Sequence, residues 1–234
     1  QGHSKMIQRA VDLLLKAERP IIYAGGGVIL SDASRELVTL AERMCMPVST
    51  TLMGLGCIPT SHPLNLGMLG MHGTEYANYA ITESDLLFSI GVRFDDRVTG
   101  KIEAFAPHAK IIHIDIDPAE IGKNKQPDVP IVGDAKSVLL EMISKIPESC
   151  PHPEWSERVE SWKKNHPLRF QEDGKLHPQY VIKKLAEILG KKGIIVSEVG
   201  QNQMWAAQWF SFTRPRQWIS SGGLGTMGYG FPAS

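Results

Sequence analysis

Hydrophobic positions in this chain form short, nearly unbroken runs that alternate with stretches of helical spacing. Over residues 6–16, Ile7, Ala10, Val11, Leu14 and Leu15 recur at intervals that predict an amphipathic helix. Pro20–Ala24 is an apolar run of strand length, as expected of a strand buried on both faces. Gly25, Gly26 and Gly27 follow as a turn, and Ser31 is placed to cap a helix over 32–44. The alternation then repeats: strand 47–51 with exit loop 52–56, helix 74–82, strand 85–90, strand 110–117, strand 128–132 and helix 135–146. Residues 58–68 hold two prolines and little periodicity, and read as a long surface connection. Five strand signals alternating with helices predict an α/β fold with a doubly wound parallel sheet, closing near residue 147.

The pattern changes after that point. Residues 148–176 are proline-interrupted and polar, with a short helix bearing Trp155 and Trp162, and read as a linker over the surface. A second α/β pattern begins at 177: helix 178–189, strand 193–197, exit loop 198–203, helix 204–210, strand 217–219 and the glycine-rich loop 222–228. The expected division is therefore 1–147, 148–176 and 177–234. The opening residues Gln1, Gly2, His3 and Ser4 read as a fragment start, and 228–234 as a stop inside a motif.

Composition narrows the function classes. The 234 residues are 42% hydrophobic, enough for a sizeable core, and 25 basic residues balance 25 acidic ones. That balance offers no electrostatic footprint for nucleic acid or an anionic membrane. No apolar stretch has the length of a membrane span, and no signal-peptide layout opens the chain. Cys45, Cys57 and Cys150 are odd in number and lack CxxC spacing, so no disulfide framework or metal site is expected. A reducing, cytoplasmic location follows, or a plastid or mitochondrial interior in a eukaryote.

Candidate chemistry sits where strands end. Gly91, Val92, Arg93, Phe94, Asp95, Asp96 and Arg97 lie in a loop at a strand's carboxyl end, where ligands bind in open α/β sheets. Arginine forks suit phosphate or carboxylate, and glycines admit close approach; the same charges could instead pair with one another on a solvated loop. The turn at 25–27 departs from the dinucleotide fingerprint, because Leu30 stands at the third glycine position. A nicotinamide-cofactor dehydrogenase is therefore disfavoured, while contact of this turn with a diphosphate stays open. His72 offers a base but has no nucleophile beside it, so hydrogen bonding or packing is its expected use. Met71 suits a flat ring or a core gap equally. Asp115 is expected to face a ligand and Asp117 to cap the turn at Pro118.

Several ordered stretches carry a family resemblance. They are TLMGLG at 51–56, GMLGMHGTEYANYA at 67–80, GVRFDDRVTG at 91–100, HIDIDPAEIGKN at 113–124, QMWAAQ at 203–208 and SGGLGTMGYGFP at 221–232. Together they resemble the thiamine-diphosphate-dependent enzymes, and within them the catalytic subunits of the acetohydroxyacid (acetolactate) synthase family. The resemblance spans nearly the whole chain. It implies a Rossmann-like central domain followed by the start of a second α/β domain that binds thiamine diphosphate. Such enzymes decarboxylate pyruvate and join the two-carbon unit to a second 2-oxo acid in branched-chain amino acid biosynthesis.

By position, the resemblance implies that FAD is surrounded by Gly26, Thr51, Leu52, Leu69, Gly70, Met71, His72, Gly91, Val92, Arg93, Phe94, Asp95, Asp115, Ile116, Asp134 and Ala135. Asp96 and Arg97 would face the substrate channel. Gln201, Asn202, Gly225, Thr226 and Met227 would touch thiamine diphosphate, with Met227 the apolar wedge beneath it. Asn202 departs from the family's usual histidine, which puts a proton-transfer role there in doubt. The activating glutamate and the acidic motif that anchors Mg2+ are expected outside these residues. No catalytic or metal-ligating residue is therefore assigned within them, and no turnover is expected from these 234 residues alone. A homodimer or tetramer, with a possible regulatory subunit, is also implied. Glyoxylate carboligase, pyruvate oxidase, sulfoacetaldehyde acetyltransferase and a non-catalytic nucleotide-binding module are the alternatives.

Overall fold

The computed structural model describes residues 2–149 and 151–234; Gln1 and Cys150, one of the three cysteines, lie outside the described residues. The chain opens with α1 (Ser4–Leu14), β1 (Pro20–Ala24), α2 (Gly26–Leu30), α3 (Ser34–Arg43) and β2 (Val48–Thr50). It continues through β3 (Asn65–Met68), α4 (Glu75–Glu83), β4 (Leu86–Ile90), α5 (Asp96–Thr99), β5 (Lys110–Asp115), β6 (Val129–Val132) and α6 (Ala135–Ile143). These six strands form one parallel sheet in the order β3-β2-β1-β4-β5-β6.

The apolar runs are continuous because both faces of this sheet are covered. Ile22, Ala24, Phe88, Ile90, Ile112 and Ile114 face one layer, packed with α1, α3 and α6 through residues such as Leu14, Leu37 and Val138. Ile21, Tyr23, Leu87 and Ile111 point the other way, against Ala77, Ala80 and Ile81 of α4. Parallel register carries the alternation across strands, with Ile22 opposite Phe88 and Phe88 opposite Ile112. Each such large side chain, fully buried, stabilises the fold by roughly 1.5–3 kcal/mol.

Three local expectations change. Residues 58–68 do not remain a surface connection throughout: β3 emerges at the sheet edge, where Ser49 and Thr50 pair with Gly67 and Met68. Ser31 does not cap the helix over 32–44; it ends the unexpected short helix α2, and α3 starts at Ser34 without a side-chain cap. Asp32 between them is left-handed, at φ 55°, which breaks any continuous helix. The short polar helix is α7 (Pro153–Asn165), whose Trp155 and Val159 are buried in the same layer as α4. Trp155 Nε1 donates to the carbonyl of Pro20 at 3.0 Å, so this helix is fastened to the start of β1.

The second unit holds α8 (Pro178–Leu189), β7 (Ile195–Ser197), α9 (Gln201–Trp209) and β8 (Trp218–Ser220), with the two strands parallel. Its core is shared with the first: Leu55 and Met68 pack with Ala206, Ala207, Phe210, Phe212 and Trp218. Phe212 and Thr60 also exchange hydrogen bonds of 2.7 and 3.0 Å. No helix among the described residues is long and apolar enough to cross a membrane.

Candidate functional site

The strand order reverses between β1 and β4, and a crevice opens at the carboxyl ends of strands where this happens. Gly25 N–H donates to the carbonyl of Ile90 at 3.0 Å, and Gly27 N–H to that of Gly91 at 3.3 Å. A Cβ on Gly25 would lie 2.0 Å from the Gly91 oxygen, and one on Gly27 2.6 Å from the Gly91 Cα. Two of the three glycines are therefore required by backbone packing. Gly26 instead faces Met53, 3.1 Å from where its Cβ would stand.

The loop after β4 is held from several sides. Gly91 N–H donates to Ile114 at 2.8 Å, and Asp95 caps α5 by accepting from Arg97 N–H at 3.1 Å. Val92 and Phe94 turn into the core, 1% and 2% exposed, and Phe94 meets Tyr23, Phe105 and His113. Arg93, between them, points outward. Its guanidinium reaches Asp95 at 3.3 Å and lies 2.7 Å from where a Cβ on Gly223 would be. Partial burial pushes the Asp95 carboxyl upward. The Arg97 N–H and the charges of Arg93 and Arg97 outweigh it and hold the group below the usual carboxylate range.

Neighbouring strand ends join this loop. Met71 N–H donates to the carbonyl of Arg97 at 3.2 Å, and Gly70 packs against Val98, so 69–72 and 96–98 are juxtaposed. Leu69 is a core residue, whereas Met71 and His72 are exposed. The His72 carbonyl accepts from Gln208 of α9 at 2.9 Å. Thr51 closes the turn after β2 by accepting from Gly54 N–H at 3.0 Å, with Leu52 half-buried beside it. Asp115 accepts from Asp117 N–H, and Asp117 from Ala119 N–H, both at 2.9 Å. Asp115 thus also makes a turn, while Ile116 is exposed.

At the far edge, Asp134 caps α6 by accepting from Ser137 N–H at 2.9 Å, and Ala135 is buried. Five strand spacings separate the β3 and β6 exits, roughly 24 Å in all. The sequence-derived set therefore forms a row along one edge of the sheet rather than a closed pocket. Gln201 and Asn202 are exposed in the first turn of α9, which starts there and not at 204. Thr226 accepts from Val199 N–H at 3.5 Å and its own N–H donates to Ser221 Oγ at 2.9 Å, which sets 225–227 beside the β7 exit. Met227 is 78% exposed.

Three residues at this edge were missed by reading the sequence. His113 is fully buried within β5, and its Nε2 donates to the Val92 carbonyl at 2.9 Å. Burial pushes its imidazole below the usual range, so it is neutral there. The signal was a lone imidazole inside an apolar strand. Asn124 donates to the carbonyls of Arg93 and Phe94, each at 3.1 Å. Met53 lies between Gly26 and Gly222, joining the first glycine turn to the last one.

The family models agree with this geometry. Residues 7–142 match the thiamine pyrophosphate enzyme central domain, and 198–234 match the C-terminal TPP binding domain. The chain belongs to the thiamine pyrophosphate enzymes. It is 54% identical, over all of its length and 41% of the relative's, to a probable acetolactate synthase large subunit of Methanocaldococcus jannaschii. Identity is 51% to an acetolactate synthase of Mycobacterium leprae (99% of this chain, 38% of the relative). It is 49% to an acetolactate synthase large subunit of Buchnera aphidicola subsp. Schizaphis graminum (100% and 42%). The chain spans about two fifths of the length of these curated relatives.

Proposed function

We propose that this chain provides the flavin-holding unit and part of the thiamine-diphosphate site of an acetolactate synthase. That enzyme condenses pyruvate with a second 2-oxo acid, pyruvate or 2-oxobutyrate, with loss of CO2. The observation that carries the reading is the row of six parallel strand exits centred on the Gly27–Gly91 contact, in a chain about half identical throughout to proteins of that name. When bound, thiamine diphosphate supplies the electron sink for decarboxylation, and FAD stands outside the net redox balance.

The residues present fit an extended dinucleotide. Gly26, Thr51 and Leu52 offer backbone and small groups beside the crevice, and Met71 offers an exposed thioether for a flat ring. Arg93, its side chain 59% exposed, is a fork for a phosphate or hydroxylated part. Val92, Phe94, Leu69 and Ala135 bring backbone only, since their side chains are core. Asp96 and Arg97 are exposed at the mouth, where Arg97 suits the carboxylate of a 2-oxo acid. Gln201, Asn202 and 225–227 serve the thiamine diphosphate. Asn202 orients by hydrogen bonding there and moves no proton near neutrality. Mg2+ belongs to the same reading as the diphosphate's counter-ion, and none of these residues is assigned to it. A homodimer or tetramer, with a possible regulatory subunit, belongs to the same reading.

The test is product analysis. The product of the gene that carries this chain, given pyruvate, thiamine diphosphate, Mg2+ and FAD, is expected to yield acetolactate and CO2. With inorganic phosphate and O2 also supplied, pyruvate consumption that gives acetyl phosphate and H2O2 instead would move the assignment to an oxidase.

A further inference from the structure

Three consecutive carbonyls in the loop after β4 accept hydrogen bonds from two side chains outside it. His113 Nε2 holds Val92 at 2.9 Å, and Asn124 Nδ2 holds Arg93 and Phe94 at 3.1 Å each. The middle of this segment is strained: Phe94 has φ 50°, a left-handed conformation that a bulky side chain rarely adopts. Such strain persists only where the surroundings over-determine it. Here the His113 ring meets Phe94 edge-on at 5.0 Å from beneath, and Asn124 grips the backbone from the open side. Residues 92 and 94 are anchored in the core, so only the Arg93 side chain is left to project from the edge.

We infer that Asn124 and His113 are positioning residues that aim Arg93 at a phosphate or hydroxyl of the bound dinucleotide. The inference rests on the flavin reading above and names the part of the fold that gives Arg93 its direction. Asn124 serves because one amide NH2 offers two protons to two carbonyls. Aspartate has the same shape but presents lone pairs to them instead. His113 serves because its donor is buried and neutral, fixed in one tautomer by the Val92 carbonyl.

The experiment is a double-mutant cycle on FAD affinity, read by flavin fluorescence, together with the rate of trypsin cleavage after Arg93 and Arg97. Asn124→Ala and Arg93→Ala are each expected to weaken FAD binding roughly tenfold, the loss of about one charge-assisted hydrogen bond. The double variant is expected to be no weaker than either alone. Asn124→Asp is expected to bind no better than Asn124→Ala. His113→Phe keeps a buried ring and removes the donor, and is expected to raise the trypsin rate as Asn124→Ala does. Additive losses in the double variant would overturn the inference, as would an unchanged trypsin rate in Asn124→Ala. If Arg93→Ala binds FAD as tightly as the unaltered protein, the flavin reading of Arg93 fails, and the trypsin rate alone then decides whether the clamp exists.

Discussion

Gly27 and Gly91 touch backbone to backbone across the point where the strand order reverses. The N–H of Gly27 donates to the Gly91 carbonyl at 3.3 Å, and a Cβ on either would stand 2.6 Å from the Cα of the other. Gly91 also has φ 60°, which side chains disfavour. Gly27→Ala is therefore expected to destabilise by about 2–3 kcal/mol through overpacking, and Gly91→Ala by somewhat more. Gly100 provides the contrast: its φ is 53° but nothing lies within 4 Å of its Cβ position. Gly100→Ala is expected to cost roughly 1–2 kcal/mol from the backbone alone, at φ 53° and ψ -122°. Urea midpoints of the three variants check the order, and equal losses would show that packing at the reversal point is unimportant.

Trp155 ties α7 to β1. Truncation to alanine removes a buried ring and its bond to Pro20, an expected loss of about 3–5 kcal/mol. Trp155→Phe keeps most of the packing and leaves the carbonyl without this donor, for roughly 1–2 kcal/mol. The exposed pair between Arg158 of α7 and Glu83 of α4 is expected to contribute under about 1 kcal/mol. Chemical denaturation of Arg158→Ala beside the two tryptophan variants separates packing from surface charge.

Gln217 is fully buried with its amide saturated. Its oxygen accepts from Thr213 N–H at 2.7 Å, Thr213 Oγ1 at 3.2 Å and Arg214 N–H at 3.0 Å. Its nitrogen donates to the carbonyls of Lys191 at 3.2 Å and Gly193 at 2.8 Å. Gln217→Met keeps the volume and strands these groups, at an expected cost of about 3 kcal/mol or more. Hydrogen exchange is the better readout, because the loss of protection is expected around 191–197 and 213–220 while the six-stranded sheet stays protected.

Cys57 sets an alkaline limit. Burial dominates over backbone hydrogen bonds from Ile58 and its own amide, and pushes the thiol up to about 12 from 9.0. Below pH 9 both folded and unfolded forms keep the proton, so the contribution is fully present. As pH rises from 9 toward 12, the unfolded thiol ionises first and stability falls by up to ~1.4 kcal/mol per pH unit. Cys57→Ala is expected to flatten this slope. Peptide-level alkylation at mildly alkaline pH is expected to label half-buried Cys45 and spare Cys57 until the protein unfolds.

Much of this architecture was legible in one dimension, because burial on both faces writes itself as continuous apolar runs such as Pro20–Ala24 and Leu86–Ile90. Strand ends, glycine turns and charged loops are likewise local, so five of the six exits can be picked out in the sequence. β3 could not. Asn65–Met68 has alternating burial and a glycine, and only pairing with β2 makes it a strand. Nor could the inward turn of Val92 and Phe94, which depends on Tyr23, Phe105 and His113 arriving from other parts of the chain. The grip of Asn124 on residues some thirty positions earlier is the same kind of fact. Periodicity reports how much water a segment avoids, which each residue's own chemistry determines. Which side chains meet at a loop is decided by chain segments distant in sequence, and only the packed sheet brings those together.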